Sequence, residues 1–151
     1  ALAFGRERPP VEVAFPIGGA AMYEAVTRNI RVGVVPRFLE KESAPAKQRF
    51  FWAYTVEITN LGEETVQLMG RLWHITDGQG RQQDVRGDGV VGDKPVLAPG
   101  DSFSYTSGCP LPTPHGTMTG VYLMENGTGE TFSIDIPLFP LESPYVERVV
   151  H

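Results

Sequence analysis

Residues 50–60 read Phe-Phe-Trp-Ala-Tyr-Thr-Val-Glu-Ile-Thr-Asn. From Trp52 to Ile58 a large apolar side chain occupies every second position, and the positions between hold Ala, Thr or Glu. Successive side chains of a β-strand point to opposite sides, so a period of two residues is typical of a strand with one buried face. The stretch therefore predicts a strand whose even-numbered side chains fill a core.

The same alternation recurs along the chain, at residues 30–34, 102–105, 118–124 and 132–136. Clusters of Asn, Asp, Pro and Gly separate these runs, as tight reversals require. In residues 65–76 the apolar side chains change from even to odd positions around Gly70, which predicts a bulge there. Several short strands with no helical period predict an all-β sandwich or barrel.

The composition fits one domain that binds neither nucleic acid nor membrane. The chain has 151 residues and a formal net charge of -5, with acids and bases interspersed, so broad attraction to a phosphate backbone is absent. It has no apolar run of about 18 residues that could span a bilayer. Cys109 is the only cysteine, which excludes an internal disulfide and favours a reducing compartment. We therefore expect a cytoplasmic protein.

Residues 1–21 differ from the rest of the chain. They contain paired prolines and a Gly-Gly but no sustained alternation, and they lack the apolar centre of a secretory signal. Two interpretations stay open: an extension that derives from upstream translation or a tag, or an arm that packs on the domain. In either case we predict an N-terminal extension over residues 1–21 and one domain over residues 22–151.

The stretch 50–60 is one of several consecutive strings that together form one pattern. The others are residues 66–80, 85–100, 103–114, 116–120 and 132–141, which include Arg-Leu-Trp-His-Ile-Thr-Asp, Gly-Asp-Gly-Val-Val-Gly-Asp-Lys-Pro and Ser-Gly-Cys-Pro-Leu-Pro. In this order they resemble the ApaG family over nearly everything from Met22 onward. The resemblance implies an all-β sandwich of the immunoglobulin or fibronectin III type, with about seven to eight antiparallel strands.

The resemblance implies little about biochemical function. Bacterial members of the ApaG family look like small cytoplasmic proteins that genetics links to cobalt and magnesium tolerance. They are encoded near a diadenosine tetraphosphate hydrolase. In eukaryotes the same domain is fused to F-box and polymerase-associated proteins, which implies a role in binding. No catalytic residue set comes with the family.

A glycine-rich segment follows Arg86. Gly87, Gly89 and Gly92 form a G-x-G-x-x-G pattern, the sequence of a dinucleotide-binding loop. Such a loop needs a helix directly after it, with amides that face the pyrophosphate. Two nearby prolines, Pro95 and Pro99, bracket only a short apolar segment, so we expect no helix and no dinucleotide fold.

Two other interpretations of this segment stay open. In the first, amides of the three glycines form an anion-binding nest, and Arg86 and Lys94 add positive charge for a phosphate, pyrophosphate or nucleotide. In the second, the segment is a tight connection between strands that its two valines anchor to the core. Asp88 and Asp93 flank the nest and count against an anion.

Metal ligands show no recognisable spacing. The three histidines, His74, His115 and His151, are scattered along the chain, whereas transition metals are held by paired imidazoles or thiolates. The candidate oxygen ligands for magnesium are Asp77, Asp84, Asp88 and Asp93. Turn aspartates usually accept hydrogen bonds from the backbone, so we predict neither a metal site nor a cofactor.

Cys109 and His115 are the only pair that suggests nucleophilic catalysis. The prolines between them predict an extended segment, and no carboxylate is placed to orient the histidine. We expect a cysteine that is a small apolar side chain or is idle, and no enzyme activity. His74 alternates with Trp73 and is expected on the outside of its sheet.

Aromatic residues suggest a surface for a partner. If Trp52 and Tyr54 fill the core, Phe51 projects outward, whereas the mirror assignment exposes Trp52 instead. The outward group belongs either to a partner surface or beneath another segment such as the N-terminal arm. Arg71 shares the face of Trp73 and is a candidate for a cation–π contact. Near the C-terminus, apolar residues among prolines at 137–145 predict an extended strap.

We therefore expect a noncatalytic β-sandwich module that binds a protein partner, with a second copy of the same chain as one alternative. Phe51 and Arg71 are the surface candidates. A phosphate or nucleotide sensor that uses the Gly87–Gly92 loop is the second hypothesis, and divalent-ion handling by the loop aspartates is the third.

Overall fold

The computed structural model describes residues 21–146, which form nine strands and two short 3-10 helices. The strands are β1 (Tyr23–Thr27), β2 (Ile30–Phe38), β3 (Phe50–Asn60), β4 (Val66–Asp77), β5 (Gln82–Asp88), β6 (Val96–Leu97), β7 (Ser102–Leu111), β8 (Gly116–Asn126) and β9 (Thr131–Leu141). The helices, Glu40–Glu42 and Pro45–Lys47, lie between β2 and β3. No helix in this range has the length and apolar character needed to span a membrane. The extension or arm predicted over residues 1–21, apart from its last residue, and His151 lie outside the described range.

Two antiparallel sheets pack face to face as a sandwich, which confirms the predicted fold class. One sheet has the order β1-β2-β3-β7 and the other the order β5-β4-β8-β9. The two-residue strand β6 pairs with β4 beyond the end of β5. β9 packs against β1 and β2 of the facing sheet. This contact closes one side of the sandwich and leaves β5 and β7 as the edges on the other side.

β3 has the buried face that the sequence predicts. Trp52, Val56 and Ile58 are at most 1% exposed, whereas Thr55 is exposed and Phe51 is half-buried. The mirror assignment, with Trp52 outside, is therefore wrong. Alternating side chains of β2, β7, β8 and β9 meet this face and complete the core between the two sheets.

The bulge predicted near Gly70 is present. The pairing of β4 with β8 shifts register between Leu68 and Gly70. Leu68 before the shift and Trp73 after it are therefore both buried, although one is even-numbered and the other odd-numbered. The same shift places Arg71 on the inner face of the sheet, two residues from Trp73 along the strand.

Of the strap predicted over residues 137–145, residues 137–141 belong instead to β9, and the chain after β9 crosses the end of the sandwich. Tyr145 packs against Phe38 and Phe50, with ring centroids 6.0 and 5.9 Å away. The indole nitrogen of Trp52 donates a hydrogen bond of 2.8 Å to the carbonyl oxygen of Glu142. The strap thus covers the buried end of β3.

Gly120 provides a test of how closely the strands of the second sheet approach each other. A β-carbon at this position would lie 2.1 Å from the carbonyl oxygen of Leu72, which is a severe clash with the neighbouring strand. We expect Gly120→Ala to lower the free energy of unfolding by about 1–3 kcal/mol, measured by urea denaturation. Gly127→Ala is the matched control, since nothing lies within 4 Å of its β-carbon position. Equal stabilities of the two variants would contradict this packing.

Candidate functional site

A cleft of about 470 Å³ opens between the edge strands β5 and β7. Its lining is mainly apolar and aromatic, with a few polar groups. The lining residues from the two sheets and from the connection after β5 include Tyr54, Arg71, Trp73, Ile75, Val85, Asp88, Val90, Val91, Gly92, Tyr105, Ser107, Cys109 and Met118. The cleft thus reaches from solvent to the core tyrosines.

Arg71 is the cation of this cleft, and its position depends on Gly87. The two residues are directly paired across β4 and β5. A β-carbon at Gly87 would lie 2.5 Å from Nη2 of Arg71, so the guanidinium lies directly above the glycine. Nη1 donates hydrogen bonds to the carbonyl oxygens of Asp88 and Gly89, at 2.9 and 2.7 Å. The missing side chain of Gly87 therefore makes room for the arginine.

Backbone hydrogen bonds occupy several amides of the glycine segment. The amide of Gly89 donates to the carbonyl oxygen of Met69 at 2.9 Å, and the amides of Val90 and Asp93 donate to each other's carbonyl oxygens at 2.8 Å. These donors are consumed by backbone pairing and do not face an anion. The other interpretation, a tight connection anchored by valines, is confirmed, because Val90 is fully buried.

The connection turns sharply over Val91 and Gly92. Their φ angles are 42° and 84°, both in the left-handed region. For a β-branched residue such as valine this region is a genuine outlier that the surroundings must hold in place. The side chain of Val91 packs against the core cluster and lines the cleft. The strained residue is thus part of the cleft wall.

The other charged candidates of the glycine segment do not converge on the cleft. Arg86 is paired with Leu72 and is exposed, on the opposite face of the sheet from Arg71. Lys94 is also exposed, and Gln67 donates a hydrogen bond to its carbonyl oxygen. Of the five predicted anion-site residues only Gly92 lines the cleft. The cleft therefore does not bring the five predicted anion-site residues together.

Arg71 itself was predicted on the face of Trp73, and that placement is confirmed. It was also proposed for an outer interaction surface and a cation–π contact. Among residues 21–146 the cation–π contact is made instead by Arg28, whose guanidinium lies 3.9 Å from the ring centroid of Phe132. Arg71 contacts backbone oxygens inside the cleft rather than an aromatic ring on an outer surface.

Two buried tyrosines, Tyr54 and Tyr105, line the inner end of the cleft, and a third, Tyr122, lies behind them. Tyr54 is hydrogen-bonded to Ser107, and Tyr105 is hydrogen-bonded through its hydroxyl to that of Tyr122 in the facing sheet. Burial raises the pKa of all three tyrosines above the ordinary value. They are therefore neutral hydroxyls at physiological pH. Sequence reasoning placed these residues in the core but did not identify them as part of a site.

The pair suggested for nucleophilic catalysis has no catalytic arrangement. Cys109 is 2% exposed, and its Sγ lies 3.8 Å from the carbonyl oxygen of Pro110. Burial raises the pKa of the Cys109 thiol to about 12, so the reactive thiolate is scarce at neutral pH. The ring of His115 packs over Gly78, 2.7 Å from the position of a β-carbon there.

Two of the four aspartates proposed as magnesium ligands have other hydrogen-bond partners. Asp77 accepts hydrogen bonds from the amides of Gln79 and Arg81; burial opposes its ionisation, but the hydrogen bonds outweigh this and lower its pKa. The hydrogen bond with His74, 2.7 Å long, lowers the pKa of Asp84. Asp88 and Asp93 are exposed. Residues 21–146 contain no group of three or more His, Cys, Asp or Glu residues placed to hold a metal ion.

Phe51 borders a second concave surface, at the far end of β7. This groove of about 630 Å³ has a floor of aromatic and proline side chains, including Phe51 and Pro110, which are directly paired between β3 and β7. Lys47, Arg49 and Glu42 also line it. The structure thus places Phe51 in an amphipathic groove, well away from the inner-face residue Arg71.

Comparison with known proteins agrees with this architecture. The protein-family model described as ApaG domain matches residues 40–126 of this chain. The chain belongs to the ApaG family. Protein ApaG of Methylobacterium sp. strain 4-46 is 61% identical over 130 residues, which are 86% of this chain and all of the relative. Protein ApaG of Bradyrhizobium sp. strain ORS 278 is 59% identical over the same coverage.

A solved structure of an ApaG-like protein shows the same fold. It is the crystal structure of the putative ApaA protein from Bordetella pertussis, whose sequence is 50% identical to this chain. The two structures superpose with a TM-score of 0.75, and the aligned region covers 76% of this chain and 94% of the Bordetella chain. The sandwich described above is therefore the fold of the ApaG family. Neither the family description nor these protein names state an activity.

The buried thiol leads to a direct chemical test. We expect Cys109 in the folded protein to react with a disulfide reagent such as DTNB at least about a hundredfold more slowly than in guanidinium-unfolded protein, because reaction needs an exposed thiolate. Absorbance of the released thiolate measures both rates. Rapid stoichiometric labelling of the folded protein would contradict the buried position.

The raised pKa also predicts a pH dependence of stability. An unfolded cysteine has a pKa of about 8.5. The stabilising contribution of the buried Cys109 thiol to the free energy of unfolding is therefore fully present below that pH. It is lost as the pH rises toward about 12, since only the unfolded state releases the proton in that range. We expect the free energy of unfolding to fall by up to about 1.4 kcal/mol per pH unit more steeply than in Cys109→Ala above pH 8.5. Parallel profiles from urea denaturation would count against this.

Proposed function

We propose that the chain is a noncatalytic binding module that recruits a protein partner by adding an extended segment of that partner to the free edge of β7. The observation that carries this proposal is the composition of β7. From Ser102 to Cys109 it contains no charged residue and no proline, although β3 is its only strand neighbour within residues 21–146. A strand edge of this kind is a ready template for another chain.

The other three sheet edges of residues 21–146 carry features that discourage pairing. β1 is only five residues long and contains Glu24. β5 carries two aspartates and Arg86 among its seven residues. β9 includes Pro137 and Pro140, which lack a backbone donor. Short length, charge and proline are the usual protections of edge strands, and β7 has none of them before Pro110.

In strand addition to β7, the backbone of the edge would provide affinity and a neighbouring groove would provide specificity for the partner. The backbone groups of β7 that face away from β3 would bind any extended chain, each hydrogen bond contributing about 0.5–1.5 kcal/mol. Specificity in this mode comes from pockets for side chains of the added strand. The groove around Phe51 and Pro110 lies at the end of β7, where it would receive an apolar side chain of the partner beside the charges of Lys47 and Arg49.

The supporting contacts favour binding over chemistry. The thiol is buried, and His74 and Asp84 pair with each other on the outer face. The hydrogen bonds of the Gly89 and Val90 amides to the backbone count against the phosphate-sensor alternative. The cytoplasmic location and the link to cobalt and magnesium tolerance, which the family resemblance implies, stay predictions.

The double variant Ser104→Lys/Thr106→Lys tests the edge. Both side chains are half-buried on the outer face of β7, so lysines there should leave the core intact while blocking a neighbouring strand. We expect the variant to lose, by at least about tenfold in recovered amount, the partner that wild-type protein retains in affinity purification followed by mass spectrometry.

Gln82→Lys/Gln83→Lys on the β5 edge is the matched control and should retain the partner. Sedimentation velocity of both variants detects self-pairing, in which the partner is a second copy of the chain. Identical partners and identical self-association in the two double variants would refute the β7 edge as the binding site.

A further inference from the structure

We propose that the cleft between β5 and β7 is a binding site for a small carboxylate with an apolar or aromatic body, and that Arg71 pairs with its carboxylate group. This ligand site differs from the proposed strand addition, since it uses side chains that face the space between the sheets rather than the backbone edge of β7, although side chains of β7 such as Tyr105 and Cys109 line it. Of the five residues predicted to bind an anion, only Gly92 lines the cleft, whereas Gly87 and Gly89 contact Arg71 and position it.

The unused hydrogen-bonding capacity of Arg71 is the first observation. Both hydrogen bonds of its guanidinium come from Nη1 and end on backbone carbonyl oxygens. Within residues 21–146, Nε and Nη2 donate to no acceptor, and Arg71 forms no ion pair. The guanidinium edge formed by Nε and Nη2 matches the two oxygens of a carboxylate. A partly buried cation without a counterion is costly, so an anion that enters the cleft would relieve that cost.

The rigid placement of this cation is the second observation. Gly87 leaves no side chain between the guanidinium and the backbone of β5, and the two hydrogen bonds to Asp88 and Gly89 hold Nη1 in place. A side chain fixed before the ligand arrives loses little further rotamer freedom on binding. The arrangement is therefore preorganised for one anionic group at one position.

The walls of the cleft determine the rest of the ligand. Trp73, Val85, Val90 and Met118 provide apolar surface beside the arginine, and the cleft volume of about 470 Å³ is in the range of about 300–1,000 Å³ found for small-molecule sites. The buried tyrosine hydroxyls stay neutral and do not compete with a carboxylate for the cation. An apolar body against these walls and one carboxylate on Arg71 would use both parts of the cleft.

The charges argue against a polyphosphate. Arg86 faces the other side of the sheet, and Lys94 does not line the cleft. Asp88, which does line it, adds a negative charge near Arg71. The single cation of the cleft can pair with one carboxylate, whereas a pyrophosphate carries several charges that would stay unpaired in a largely apolar site. The site thus differs from the nest predicted from the glycine pattern in both location and ligand.

Titration of the full chain with phenylacetate tests this proposal, with 2-phenylethanol as the neutral counterpart and pyrophosphate as the polyanion. We expect phenylacetate to shift the amide NMR signals of Gly87, Gly89 and Gly108 in a saturable way at millimolar concentration. The neutral alcohol and pyrophosphate should each bind at least about tenfold more weakly.

Arg71→Met should weaken phenylacetate binding at least about tenfold, whereas Arg86→Met, the matched control on the opposite face of the sheet, should leave it within about twofold. Amide signal dispersion shows whether each variant is folded. Arg71→Lys, which keeps the charge but loses the planar fork, and Gly87→Ala, whose β-carbon displaces the guanidinium, give the same test if Arg71→Met fails to fold. Both should weaken binding.

Three results would overturn the proposal. They are the absence of saturable shifts with phenylacetate, equal affinity for the alcohol, and unchanged affinity in every folded variant of Arg71 or Gly87. Tighter binding of pyrophosphate would overturn the ligand class. Loss of the protein partner in the β7 variants with intact phenylacetate binding would show that the two functions are separate.

Discussion

The single-residue bulge at Gly70 determines which side chains of β4 lie between the sheets. A shift of one residue in a strand exchanges its two faces. Without the bulge, Trp73 and Arg71 would turn to solvent, and Leu72 and His74 would turn into the core. The hydrogen bond between His74 and Asp84 would then have to form inside the sandwich. The core around Trp73 and the cation of the cleft both depend on this irregularity.

The three glycines next to β5 each have a separate steric role. Gly87 leaves room for the guanidinium of Arg71, and a β-carbon at Gly89 would lie 2.2 Å from the carbonyl oxygen of Asp93. Gly92 takes a positive φ in the turn. A spacing that matches a dinucleotide loop can therefore arise from a strand, a close approach and a turn that follow one another. The sequence signal against a dinucleotide loop was the pair of flanking prolines, Pro95 and Pro99, which leave no room for a helix after the glycines.

The sequence predicted the architecture better than the site. The alternation in β3, the bulge in β4 and the turn residues followed from side-chain periodicity, which reflects burial between two sheets. β5 and β1 were missed, because β5 is a polar edge strand, Gln82–Asp88, and β1 turns into β2 over Arg28 and Asn29, which take positive φ angles without glycine.

The position of Arg71 in the cleft could be predicted from the sequence only in part. The shared face of Arg71 and Trp73 was predictable, but contact with Gly87 depends on the register between β4 and β5. An isolated glycine within a polar strand often marks a close approach, and this was the signal available. Whether a backbone amide is free or bonded has no counterpart in the sequence, so the amide nest could not be excluded from the glycine spacing.

The hydroxyl contact between Tyr105 and Tyr122 joins the two layers of the sandwich in the middle of an otherwise apolar interior. Apolar surfaces alone permit sliding, since dispersion forces have little directionality, but a buried hydroxyl that loses its partner incurs a desolvation penalty. This contact therefore resists sliding of one sheet over the other. Because this contact fixes the width of the adjacent cleft, the cleft would select ligands by their thickness as well as by their charge.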